Sequence, residues 1–102
     1  MHFLVTITPT NDAANALDAG PGGPGPLFTW VADRYKPVAF WVAAGARSAS
    51  WIIDVTDAGQ LHELVHVAAR KAATVPELTP IIMGDEAAST IPAAIEVAAT
   101  AP

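Results

Sequence analysis

The chain has 102 residues, with ten Asp and Glu against five Lys and Arg, a formal net charge of -5 and no cysteine. That size fits one domain with a modest core. An acidic balance with no basic cluster speaks against docking on a nucleic-acid backbone, and the missing thiol removes disulfides, thiolate nucleophiles, iron–sulfur clusters and Cys-type zinc sites.

Residues 2–8, HFLVTIT, are rich in β-branched and aromatic letters and stop at Pro9, which predicts a strand. The opening MHFLVTITPT is too short and too β-patterned for a signal peptide, and no apolar run approaches the roughly 18 residues that span a bilayer. A cytoplasmic protein with no membrane partner is expected. Residues 11–19 suggest a weak alanine-rich helical turn. The stretch GPGGPGP, residues 20–26, holds four Gly and three Pro and predicts a loop, a plain linker rather than a lid.

From Leu27 to Lys36 the apolar Leu27, Phe28, Trp30, Val31 and Tyr35 recur at three- and four-residue steps, one face of a helix that Pro37 ends. Residues 38–44, VAFWVAA, predict a second strand apolar on both faces, and residues 50–55, SWIIDV, a third. The AGARSA between them predicts a hairpin connection. Trp41 and Trp51 would then flank each other across it.

Asp57 with Gln60 three residues on is close to a capping box, so a helix should run to about Ala73. Residues 78–83 predict a fourth strand, with Pro80 marking an edge or bulged position. A short helix is expected over residues 91–98. The order β-α-β-β-α-β is the split-βαβ, ferredoxin-like arrangement: an antiparallel four-stranded sheet with helices on one face. Residues 1–85 form the domain and residues 86–102 an arm for packing on a partner. Strands apolar on both sides predict that a second copy covers the bare face, as a homodimer or higher homo-oligomer.

Within this chain HELVH, residues 62–66, fits the H-E-x-x-H pattern of zinc metalloproteases, with Glu86 as a conceivable third ligand. Helical geometry opposes it. At about 100° per residue with Leu61 at zero, the apolar stripe of Leu61, Leu64, Val65, Ala68 and Ala72 lies near 0°, His62 near 100°, His66 near 140° and Glu63 near 200°. The histidines fall on a flank and Glu63 points to solvent, so no metal site is expected.

The three tryptophans fill either a core or interface, or an aromatic cleft for a small hydrophobic molecule. In that cleft Tyr35 and His62 are the candidate proton-transfer groups, Trp30, Trp41 and Trp51 the walls, and Arg47 the cation that holds an anionic group. Asp54, out of phase with Trp51 and Ile53, reads as a strand-end solvent residue. G-x-S-x-G and Walker sequences are absent, and the glycine-rich GPGGPGP lacks the Lys and the strand–loop–helix setting of a phosphate-binding loop.

Residues 45–65, GARSASWIIDVTDAGQLHELV, resemble the muconolactone isomerase-like members of the dimeric α+β barrels, in which a Gly-Arg-type turn leads into an FDV-type strand, an acidic cap and an ELHELL-type helix. The resemblance implies two ferredoxin-like protomers joined through their sheets, each with a small-molecule cavity between sheet and helices. It also implies proton transfer without a cofactor, as an isomerase or cyclase, with cofactor-free monooxygenases among the relatives. By position Arg47, Asp54, His62 and Glu63 match the motif. The alternative is a non-catalytic ligand-binding or structural dimer.

Overall fold

A computed structural model describes residues 1–102. Four strands, β1 (His2–Ile7), β2 (Ala39–Val42), β3 (Ala49–Asp54) and β4 (Glu77–Ile81), form one sheet in the order β2-β3-β1-β4, antiparallel at every pairing. Helices α1 (Asn11–Ala19) and α2 (Gly25–Tyr35) fill the first crossover, α3 (Ala58–Ala72) the second, and α4 (Gly84–Thr100) follows the last strand. The α+β architecture expected from the sequence is present in this ferredoxin-like strand order. Pro80 lies on β4, an edge strand, where its missing N–H interrupts no second ladder.

Period-two alternation divides the sheet. Val5 and Ile7 on β1 and Ala49, Trp51 and Ile53 on β3 turn toward the helices and are buried together with Val31, Tyr35, Leu64, Ala68 and Ala72. On the opposite face lie Leu4, Thr6, Trp41, Ser50, Ile52 and Ile81, where no helix supplies a buried partner. The Thr6 and Ser50 hydroxyls hydrogen-bond there at 2.8 Å across directly paired positions. Register therefore separates two tryptophans expected to flank each other. Trp51 pairs with Phe40 and Trp41 with Ser50, so Trp51 is in the core at 2% exposure and Trp41 is on the open face at 44%.

Local chemistry explains most element ends. The Asp57 carboxylate accepts from the Gln60 backbone N–H, capping α3, while the Gln60 side-chain oxygen accepts from the Thr56 N–H at 2.8 Å. Thr10 caps α1 by accepting from the Ala13 N–H, turning the weak helical turn of expectation into a nine-residue helix. The Gly/Pro stretch is shorter as a loop than its composition suggests: Gly25 and Pro26 already belong to α2, because Pro tolerates a first turn whose N–H has no intrahelical partner. Gly22 and Gly23 make the preceding turn with φ of 77° and 58°, a region open chiefly to glycine.

The C-terminal helix is longer than expected, 17 residues from Gly84, and it buries none of them. Ile91, Ile95 and Val97 are 60%, 64% and 70% exposed. A helix of that length spans about 25 Å, and the molecule measures 56 × 26 × 25 Å, so α4 extends away from the sheet-and-helix body. No helix is long and apolar enough to cross a membrane.

Candidate functional site

Two recesses hold the polar side chains that the sequence marks for chemistry. The first is an apolar pocket of about 310 Å³ between the helix face of β2 and β3 and the α1–α2 segment. Ile7, Leu17, Leu27, Phe28, Val42 and Trp51 are among its walls. It exists because β3 places Trp51 inward while α2, starting at Gly25, lays Phe28 across it. The Phe28 and Trp51 rings meet edge-on at 5.9 Å, and Phe40 joins both at 5.1 and 5.3 Å.

Arg47, on the β2–β3 connection, stands at this pocket with Asp18 of α1. Its Nη1 donates to Asn15 Oδ1 at 2.7 Å, and its Nη2 lies 3.4 Å from Asp18 Oδ2. Both members of the ion pair are half-exposed, so the pair adds little stability and can open without large loss. The pocket thus offers an apolar body and one cation whose present partner is exchangeable.

The second recess is a shallow groove between α2 and α3, lined by Trp30, Arg34, His62, Glu63 and His66. Arg34 donates twice to Glu63, from Nε to Oε1 and from Nη2 to Oε2, each at 2.9 Å. Tyr35 Oη donates to the same Oε1 at 2.9 Å. The Arg34 guanidinium lies 5.9 Å from the Trp30 ring centre and 5.8 Å from that of Tyr35, and the Trp30 and Tyr35 rings meet edge-on at 6.0 Å. Hydrogen bonds from Arg34 and then Tyr35 hold the Glu63 carboxyl below its usual range. Burial, followed by the bond to Glu63, pushes the Tyr35 phenol up, and the carboxylate pushes Arg34 further up.

His62 and His66 stand on the exposed side of α3 with their Nε2 atoms 3.1 Å apart. No group of three His, Cys, Asp or Glu side chains is gathered anywhere in the chain.

The structure divides the six candidate residues. Arg47 and Trp51 meet at the apolar pocket; Trp30 and His62 share the groove beside Tyr35; Trp41 faces away from both, on the open side of the sheet. Glu63, expected to point to solvent, is partly exposed yet bound by Arg34 and Tyr35. Sequence reasoning passed over Asp18 and Phe28 as pocket residues. Phe28 was visible as an apolar letter on the α2 face, whereas Asp18 had no local signal, since its partner Arg47 is far along the chain. Compared with family models, curated proteins and solved structures, the chain gives no match.

Proposed function

We propose that this protein binds a small, mainly apolar molecule bearing one anionic group, seated against Phe28 and Trp51 with its anion on Arg47. The observation that carries the reading is a pocket of about 310 Å³ whose walls are predominantly apolar and which has one cation at its edge. Ligand sites commonly combine such a surface with a few placed polar groups. An incoming carboxylate replaces Asp18 as the partner of Arg47, exchanging one ion pair for another. The test is calorimetric titration with a panel of small aromatic and alicyclic carboxylates. Saturable binding weakened about tenfold or more by Arg47→Ala, and abolished by Leu17→Trp, supports the reading; binding indifferent to both substitutions sinks it.

The cofactor-independent isomerase or cyclase suggested by residues 45–65 is the second reading, and Asp18 favours it. Once Arg47 turns to a ligand, Asp18 is left as a carboxylate on the pocket wall, a group able to move a proton. Tyr35 and His62 belong to the α2–α3 groove, so proton transfer by them requires a ligand bound there. Recovery of a bound compound unchanged supports the binder. Conversion that stops in Asp18→Asn supports the enzyme.

The working unit in this reading is a pair of copies. A chain of 10.5 kDa exposes 6623 Å², against about 5,400 Å² for a compact monomer of that mass. The excess of roughly 1,200 Å² exceeds the ~800 Å² per partner of a standard interface. Helix α4 supports the same view. Pro92 inside it removes a backbone bond and leaves stretches on either side shorter than the ~12–15 residues below which an isolated helix is marginal in water, so its apolar side chains need a neighbour that its own body does not provide. Sedimentation equilibrium checks this: a dimer is expected, weakened by Ile52→Asp and by removal of residues 84–102. A chain that stays monomeric at 100 µM, roughly a hundredfold above an ordinary micromolar dissociation constant, overturns it.

A further inference from the structure

We infer that His62 and His66 form a surface chelate for a divalent transition-metal ion of the nickel(II), copper(II) or zinc(II) kind, apart from the apolar pocket and independent of what that pocket binds. The two residues lie one turn apart on α3, so the helix backbone fixes their spacing. Their rings stand nearly perpendicular, at 80° with centres 4.7 Å apart, and their Nε2 atoms converge to 3.1 Å. With metal–nitrogen bonds of about 2.1 Å, nitrogens at that separation subtend about 95° at a shared ion. That angle suits two adjacent positions of a square or octahedral ion and is within small ring motions of a tetrahedral one.

Ligand chemistry selects the class of ion. Neutral imidazole nitrogens favour nickel, copper and zinc. Magnesium and calcium want oxygen donors, and Glu63, the carboxylate lining the same groove, is held by three hydrogen bonds from Arg34 and Tyr35. The engagement of Glu63 also separates this site from a metalloprotease with the same letters: the residue that would serve as general base is turned to a cation on α2, and no third protein ligand joins the pair. The remaining coordination positions are open to water. Arg34, paired with Glu63, lines the same groove, while Arg70 and Lys71 line the adjoining cleft beyond His66. Their positive charge opposes a cation, which makes the site a moderate rather than a tight one.

The untagged chain is titrated separately with nickel chloride, copper sulfate and zinc chloride by calorimetry, with visible absorbance recorded for nickel and copper. One ion per chain is expected, together with a rise in melting temperature. Both should be lost in His62→Ala and in His66→Ala and kept in His2→Ala. Circular dichroism of each metal-free variant establishes that the exposed substitutions leave the fold intact. Absence of saturable binding overturns the inference. So does binding that survives in the His62→Ala/His66→Ala double variant and disappears in His2→Ala, which would assign the ion to the amino terminus.

Discussion

Tyr35 Oη donates a 2.9 Å hydrogen bond to Glu63 Oε1, joining the last residue of α2 to the second turn of α3 across 28 positions of sequence. The same carboxylate receives both Arg34 bonds, so one side chain ties together the two helices that cover the sheet. Glu63 has its carboxyl lowered by these donors and Tyr35 its phenol raised, chiefly by burial. The clamp therefore has an acid edge and an alkaline edge.

At the acid edge, a depressed carboxyl contributes stability that is complete above its unfolded value, near 4.5, and is lost as pH falls through its lower folded value. The melting temperature of the wild type should therefore drop more steeply below about pH 4.5 than that of Glu63→Gln, whose amide does not titrate. Parallel melting profiles for the two proteins would show that the clamp does not couple to folding.

At the alkaline edge the sign reverses, because the Tyr35 phenol is raised above its ordinary 10.0 and its stabilising contribution is lost as pH climbs through the folded value. Tyr35 is the single tyrosine, so absorbance near 295 nm reports it alone. Its ionisation should come later in the native chain than in the urea-unfolded chain. Tyr35→Phe, which leaves the ring in the core and removes the donor, should cost about 1 kcal/mol at neutral pH by urea unfolding.

The two β-hairpin tryptophans should respond in opposite ways to truncation. Trp51 is 2% exposed and packs on Phe28 and Phe40, so Trp51→Ala should cost about 3–5 kcal/mol. Trp41→Ala, on the open face, should change the unfolding free energy of the monomeric chain by no more than about 0.5 kcal/mol and instead weaken the proposed self-association. Urea titration and sedimentation of both variants separate the effects.

Gly59 in the first turn of α3 invites a helix-stabilising alanine, worth up to about 1 kcal/mol in an ordinary helix interior. A Cβ there would come within 2.8 Å of Asp57 Oδ1, the atom that caps the helix. Gly59→Ala should thus displace the cap and raise the melting temperature little or not at all. In Asp57→Ala, which itself costs about 1 kcal/mol, adding Gly59→Ala should recover the full helix gain. Equal gains in both backgrounds would show that the cap is undisturbed.

Ala73 ends α3 with φ at 51°, a left-handed conformation that burdens every residue with a Cβ. Ala73→Gly removes that strain while adding freedom to the unfolded chain, so the net stabilisation should be about 0.5–1 kcal/mol, read as a higher melting temperature. A decrease would mean that the Ala73 methyl makes a contact worth more than the strain.

The sequence by itself determined the secondary elements and the sheet plan. The β-branched and aromatic letters of residues 2–8 gave β1, the apolar run of residues 50–55 gave β3, the stripe through Leu61, Leu64 and Ala68 gave α3, and Asp57 gave its start, because such patterns act over a few residues. It underestimated α1, whose Thr10 cap supports an alanine-rich segment, and α4, whose alanines carry high helix propensity past Pro92. Only the tertiary structure decided the site. Strand register, a matter of one residue, sent Trp41 and Trp51 to opposite faces. Pairings across 28 and 29 residues withdrew Glu63 from the histidines beside it, and the meeting of Arg47 with Asp18 set an ion pair at the edge of one pocket. Such contacts join residues with no local relation, so no short stretch of letters contains them. The histidines of HELVH are the exception: one helical turn sets their spacing, and that part of the site was legible from the start.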